Sequence, residues 1–161
     1  MKYRYLTYQE FTVVEDDFSN YLYDCGLSPF EWSLLQDQYS DQAWSMLGEY
    51  SDLIFDRLVK NVKYLEFRSE KKLRAIECHQ DHMVCIGVEI PNGSPLNLTD
   101  IDSMQFFDQP SDQMAYRCYE STQSYQSDRD HEIFEMIESG GYVVDAAVFN
   151  QLKLLRTTLQ N

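Results

Sequence analysis

Near residue 63 the apolar period of the chain changes, and this change limits the folds open to it more than any single motif does. Before it, apolar residues recur every three or four positions, as on one face of a helix. After it, Val84, Ile86, Val88 and Ile90 alternate, as on one face of a strand. A helical period does not settle into a sheet, nor a strand period into a helix. The chain therefore reads as α+β, with N-terminal helices, a central antiparallel sheet of about four strands and two C-terminal helices.

Local signals place the helices. Thr7 and Glu10 have the spacing of a capping box, in which the Thr hydroxyl and the Glu carboxylate each satisfy an orphan backbone N–H. The stripe Phe11, Val14, Phe18, Leu22 and Cys25 follows, with Gly26 suited to the left-handed position that ends a helix. On this stripe Cys25 is a core residue. Ser28-Pro29-Phe30-Glu31 repeats the start signal and opens a short helix to about Gln38. From Asp41, the set Trp44, Leu47, Ile54, Leu58 and Val62 predicts a longer amphipathic helix to about Asn61. A break is expected at Tyr50-Ser51-Asp52, where Ser51 can recap it. The helical region is 7–61.

Strands then fill 63–90, from "KYLEFRS", "LRAIECH" and "HMVCIGVEI", and a fourth comes from "MAYRCYESTQSY" over 113–121. Between them, 91–112 hold three of the four prolines and an Asn-Gly pair, and predict a long loop with one turn of helix near 101–106. Ser127 and Asp130 predict the next helix start, and Ile133, Phe134 and Ile137 carry it to "SGG". "YVV" is a short extended link. Asp145 caps the last helix, whose apolar set is Val148, Phe149, Leu152, Leu155 and Leu159, so 127–159 are helical. A chain of 161 residues buries about 70% of its unfolded surface, which suits one domain with a core that needs no metal or disulfide.

Charge is unevenly spread. Residues 1–56 carry eleven acids against Lys2 and Arg4, and residues 75–161 fourteen acids against four bases. Between them, 57–74 hold Arg57, Lys60, Lys63, Arg68, Lys71, Lys72 and Arg74 against only Glu66 and Glu70. The basic run either neutralises acidic helices within the fold or forms a local anion contact. For the second case the candidate binding residues are Arg68, Lys71, Lys72 and Arg74, with Tyr64 and Arg117 beside them on neighbouring strands. A net charge of −14 and a pI near 4.4 repel nucleic acid as a general partner.

"IECHQDHMVC" brings Cys78, His79, His82 and Cys85 within eight positions, the residue types of a zinc site. Hairpin geometry tests the idea. With a two-residue loop Gln80-Asp81, both histidines share one face and both cysteines the other. With the loop Gln80-Asp81-His82, Cys78 joins Val84 and Ile86 while His79 and Cys85 sit opposite. Neither register gathers four ligands, so no metal is predicted, His79 and His82 being the residual candidates. The second register fits the apolar alternation and is the expected one. "HEIFE" resembles a zinc-protease helix, but Glu135 stands where a second His is required, leaving His131 and Glu135 as a surface pair. No phosphate loop, nucleophile elbow or dinucleotide fingerprint occurs, and no catalytic residue or cofactor is predicted.

Taken in order, "KYRYLTYQEF", "FEWSLLQ", "YSDLIFDRLVKNVKYLEFRS" and "YESTQSYQSDRDHEIFEMIESGG" resemble a family of small acidic bacterial proteins, typical of the Bacteroidetes, of uncharacterised function. The resemblance runs from residue 2 to about 150. It rests on Lys2-Tyr3 with Leu6-Thr7, on Tyr50-Ser51-Asp52-Leu53 with Tyr64-Leu65-Glu66, and on Ser127-Asp128-Arg129-Asp130. It implies a one-domain cytoplasmic protein and carries over no catalytic residue.

No apolar run approaches the roughly 18 residues of a membrane span, the N-terminus has no apolar signal core, and the four cysteines lack C-x-x-C pairing; a cytoplasmic location is expected. The leading functional expectation is a non-enzymatic interaction or adaptor protein with a protein partner, of basic character. Exposed strand edges and many Tyr and Phe make a homodimer a second form of assembly. The alternatives are a small-ligand protein or enzyme with its pocket under the 91–112 loop, and an acidic mimic of nucleic acid.

Overall fold

The computed structural model describes residues 1–99 and 116–159, in two compact units, Met1–Lys60 and Asn61–Asn161. Helices lie at both ends of the chain order and an antiparallel sheet in the middle, the α+β arrangement predicted.

The first unit holds α1 (Tyr8–Val13), α2 (Glu15–Asp24), α3 (Pro29–Gln38) and α4 (Ser40–Lys60). Both capping boxes form. The Thr7 hydroxyl accepts the Glu10 N–H at 3.3 Å while the Thr7 N–H donates to the Glu10 carboxylate at 2.7 Å, and Ser28 and Glu31 repeat the exchange. Gly26 ends α2 at φ +76°, where the Leu27 N–H returns to the Leu22 carbonyl and the Gly26 N–H to Tyr23.

Several details of this unit depart from expectation. The first helix divides at Val14, whose N–H turns to the Phe11 carbonyl three residues back, while its own carbonyl keeps the Phe18 N–H at 2.9 Å and also takes the Tyr50 hydroxyl at 3.0 Å. Cys25 is exposed, not core, because it is the cap residue beyond the buried stripe. No break occurs at 50–52. The Ser51 hydroxyl donates to the Leu47 carbonyl one turn back and accepts the Leu6 N–H, so it works within α4 instead of recapping it. The buried face of α4 runs through Ala43, Tyr50, Ile54, Phe55 and Val59, which leaves Trp44 and Leu58 in solvent.

The second unit is a five-stranded sheet in the order β4-β3-β2-β1-β5, formed by β1 (Tyr64–Arg68), β2 (Lys72–Cys78), β3 (His82–Glu89), β4 (Arg117–Ser124) and β5 (Tyr142–Val144). The fifth strand is the "YVV" link, which pairs antiparallel with β1 from Tyr64↔Val144 to Glu66↔Tyr142. Strand β4 begins and ends later than the 113–121 expected. Of the predicted loop, residues 100–112, with the helical turn near 101–106, lie outside the described residues, as do 113–115 of the predicted fourth strand.

The β2–β3 register overturns the expected one. Cys78 pairs with Met83, Ile76 with Cys85 and Glu77 with Val84, and the His79 N–H donates to the His82 carbonyl across a two-residue turn. One sheet face therefore carries Tyr64, Leu73, Ala75, Ile86 and Val88, and the other Leu65, Phe67, Ile76, Cys78 and Met83. The first face packs against Phe149, Leu152 and Leu155 of α6 (Ala147–Leu159), which Asp145 caps through the Ala147 N–H. On the second face, a Cβ on Gly141 would come 2.9 Å from the Phe67 ring, and Arg129 of α5 (Arg129–Glu138) donates to the carbonyls of His79 and Val62. The N-cap of α5 is Asp128, whose carboxylate accepts the His131 N–H, instead of the expected Ser127. Cys78 is buried, as expected, but on this second face.

Candidate functional site

The amphipathic helices of the first unit bury Phe18, Leu22, Tyr50 and Ile54 together. Around them the aromatic rings meet edge to face: Phe18 lies 5.1 Å from Phe11, 5.3 Å from Trp32 and 4.8 Å from Tyr50 between centroids. This network does not close over its outer side. A cavity of about 810 Å³ opens there, with Phe11, Phe18, Leu22, Trp32 and Leu47 in its lining and Tyr5, Tyr8, Tyr23 and Trp44 exposed on its walls. Its volume falls within the range of small-molecule sites, roughly 300–1,000 Å³. Tyr8, Tyr23 and Trp44 are 83%, 81% and 56% exposed. Both tryptophans of the chain line the cavity.

The electrostatics around this groove are one-sided. No Lys, Arg or His occurs between Arg4 and Arg57. The cations at the borders of this stretch already face carboxylates: Lys2 meets Asp56 at 2.9 Å, Arg4 clasps Glu10 through two bonds of 2.7 and 2.8 Å, and Arg57 meets Asp17 at 3.0 Å. The Arg4 bonds hold the Glu10 carboxyl down at about 2. Glu15, in the cavity lining, and Asp16, Asp24 and Glu49 have no cationic partner among the described residues. Burial pushes the phenols of Tyr21 and Tyr50 up to about 12. Every resolved shift among the described residues moves its group away from neutral pH, the direction opposite to that of a general acid or base.

The basic run of 57–74 is distributed between structural tasks and a second groove. The Lys71 ammonium donates to the carbonyls of Ser94 and Leu96, at 2.8 and 2.6 Å, and so pins the chain that follows β3. Arg68 pairs with the buried Glu66 and also reaches the Leu98 carbonyl. Lys72 meets Glu89 at 3.0 Å, and the Arg74 guanidinium lies 4.8 Å over the Phe67 ring. Arg68, Lys72 and Arg74 line one cavity of about 510 Å³ with Phe67, Glu89 and Tyr119. The other three candidates are elsewhere. Tyr64 points to the α6 face, its hydroxyl donating to Glu77 and its ring 5.7 Å from Phe149. Lys71 is occupied as described, and Arg117 borders a shallow depression with Ile90, Pro91 and Tyr116.

At the hairpin, His79 contacts the Glu77 carboxylate at 3.1 Å and His82 that of Asp81 at 2.7 Å. Cys78 and Cys85 are on the opposite face, with thiols that burial pushes up, Cys78 to about 11. Among the described residues no three His, Cys, Asp or Glu side chains converge as metal ligands. His131 and Glu135 form the predicted pair at i, i+4, at 3.5 Å.

The groove of the first unit was not among the expected sites. Its signal in the sequence is the pair of aromatics that fall off the apolar stripe, Tyr8 and Tyr23, in a stretch with no cation; Trp44 lies on the stripe expected to be buried.

The profile of a family of unknown function (DUF6495) matches residues 1–157, and the chain belongs to that family. Neither a curated protein nor a solved structure matches it. Among the described residues no helix is long and apolar enough to cross a membrane.

Proposed function

We propose that this member of the family is a non-enzymatic interaction protein, and that the aromatic groove of its N-terminal unit holds a segment of a protein partner. The observation that carries the reading is the exposure of Tyr8, Tyr23 and Trp44 around a cavity floored by Phe11, Phe18 and Trp32. Tyr and Trp are the side chains that most often anchor interfaces, because each buries a large rigid area at little entropic cost. A cytoplasmic, bacterial setting belongs to the same reading, the cytoplasmic part being in keeping with four scattered cysteines and no C-x-x-C pair.

The test is native capture by the protein and by the double variant Tyr8→Ser/Tyr23→Ser, with far-UV circular dichroism to establish that the variant folds. A stoichiometric partner held by the parent and lost by the variant is the expected result. A partner retained undiminished, or a parent that stays solitary from low to high salt, overturns it. The cavity volume also favours a second reading, a small apolar ligand in the same groove, which native mass spectrometry would register as a bound mass.

A further inference from the structure

We infer that the partner segment is basic, and that it seats a Lys or Arg side chain in the corner between Tyr5 and Trp44. The inference rests on the groove being the docking surface and adds the chemistry of what enters it. The two rings stand 5.4 Å apart between centroids with 75° between their planes, so their faces meet almost at a right angle. Both are open to solvent, Tyr5 at 40% and Trp44 at 56%. A cation in such a corner is attracted by two ring faces, and an alkyl stem can lie along the apolar wall behind it.

The charge pattern selects the same occupant. Glu15 is in the groove lining, no Lys, Arg or His lines it, and Lys2, Arg4 and Arg57 each already face a carboxylate. An acidic or neutral segment would bring like charge, or none, to this field; a basic one is steered into it and held by complementary charge. The aromatic floor then takes an apolar side chain next to the cation. The partner is thus a protein segment in which Lys or Arg neighbours Leu or an aromatic residue.

Trp32 and Trp44 are the only tryptophans and both line the groove, so the emission of the intact protein reports on it directly. The probes are two 14-residue peptides free of Trp and Tyr, alike except that one carries arginine and leucine at helical spacing and the other has citrulline, neutral and nearly isosteric, at each arginine. The arginine peptide is expected to shift the emission at micromolar concentration, to bind at least about tenfold more tightly than the citrulline peptide, and to weaken as salt rises. Trp44→Leu, which removes the ring face, should weaken both peptides but cost the arginine peptide about fivefold more than the citrulline peptide, with Trp32 as reporter. Tyr5→Leu should act in the same sense. Equal binding of the two peptides overturns the inference and leaves the groove standing. An arginine affinity untouched by both variants overturns it as adsorption elsewhere on an acidic surface. If neither peptide moves the emission, the inference and the groove reading fall together.

Discussion

The imidazole rings of His79 and His82 stack across the β2–β3 turn, 4.4 Å between centroids and 16° between planes. Ring nitrogens present their lone pairs in the ring plane, so two nearly parallel rings aim them side by side and not at a common point. Each ring is also held by a different carboxylate, Glu77 or Asp81. Protein purified without a polyhistidine tag should therefore hold less than about a tenth of an equivalent of zinc by elemental analysis. A full equivalent that disappears with His79→Ala would contradict this.

Gly87 and Tyr119 form a second cross-strand relationship, on β3 and β4. A Cβ on Gly87 would stand 2.4 Å from Cζ of the tyrosine, so the ring lies where only glycine admits it. Gly87→Ala should swing the half-buried ring aside at a cost of about 1 kcal/mol. The double variant with Tyr119→Ala should cost less than the sum of the two single changes, by at least about 0.5 kcal/mol in urea unfolding. Strict additivity would show that the ring is not in that place.

Acid should loosen the first unit through Glu10. Its carboxyl is held at about 2, chiefly by the Arg4 guanidinium, against an ordinary value of 4.5. The folded state thus binds this proton less readily than the unfolded chain does. The contribution is complete above pH 4.5 and is lost as pH falls through about 2. Glu10→Gln should melt lower than the parent at pH 6, and the difference between the two melting temperatures should shrink steadily from pH 4.5 downward. A difference independent of pH would sink the assignment.

Tyr50 is fully buried in the first unit, with its hydroxyl on the Val14 carbonyl and on Asp17. Tyr50→Phe keeps the ring contacts and removes the donor. The expected cost is about 1 kcal/mol in urea unfolding followed by tryptophan emission. No change in midpoint would mean that the hydroxyl plays no part in holding the break at Val14.

The thiols should separate by reactivity. Cys25 is exposed, whereas burial pushes Cys78 to about 11 and raises Cys85 and Cys118 as well, which keeps those three protonated. With a thiol-disulfide reagent at pH 8, one equivalent should react quickly in the native protein and three only slowly. Cys25→Ser should abolish the fast phase and leave the slow ones; a fast phase that survives would place the reactive thiol elsewhere.

Features written in neighbouring residues were legible. Both capping boxes, the left-handed Gly26 and the Asp145 cap need only three or four positions to be recognised, and all form. The β2–β3 register was not legible for a physical reason. Alternation distinguishes registers when one face is polar, but here Leu73, Ala75, Ile86 and Val88 are buried on one face and Ile76, Cys78 and Met83 on the other, so sliding by one residue changes little in the pattern. Three residues of β5 carry too little periodicity to announce a strand; its identity lies in its pairing with β1. The groove was hidden in a similar way. Trp44 has the spacing of a buried residue along α4, and only the packing of helices from other parts of the chain determines which side of that spacing faces solvent. Among the basic residues, Lys71 and Arg68 gave no sequence sign that backbone carbonyls would occupy them.

The strand order has a consequence for how fast and in what sequence the second unit assembles. Strands β1, β2 and β3 each pair with the next strand in the chain, whereas β5 returns to β1 with Val144 opposite Tyr64, 80 residues away. Closing that distance costs more chain entropy than any hairpin in the sheet, so the β1–β5 pairing should form last and open first. In native-state hydrogen exchange, the β5 amides that bond β1 should lose protection ahead of those of Ile76 and Ile86. The last strand of the sheet is then its latch, set only after a ribosome has released all of residues 64–144.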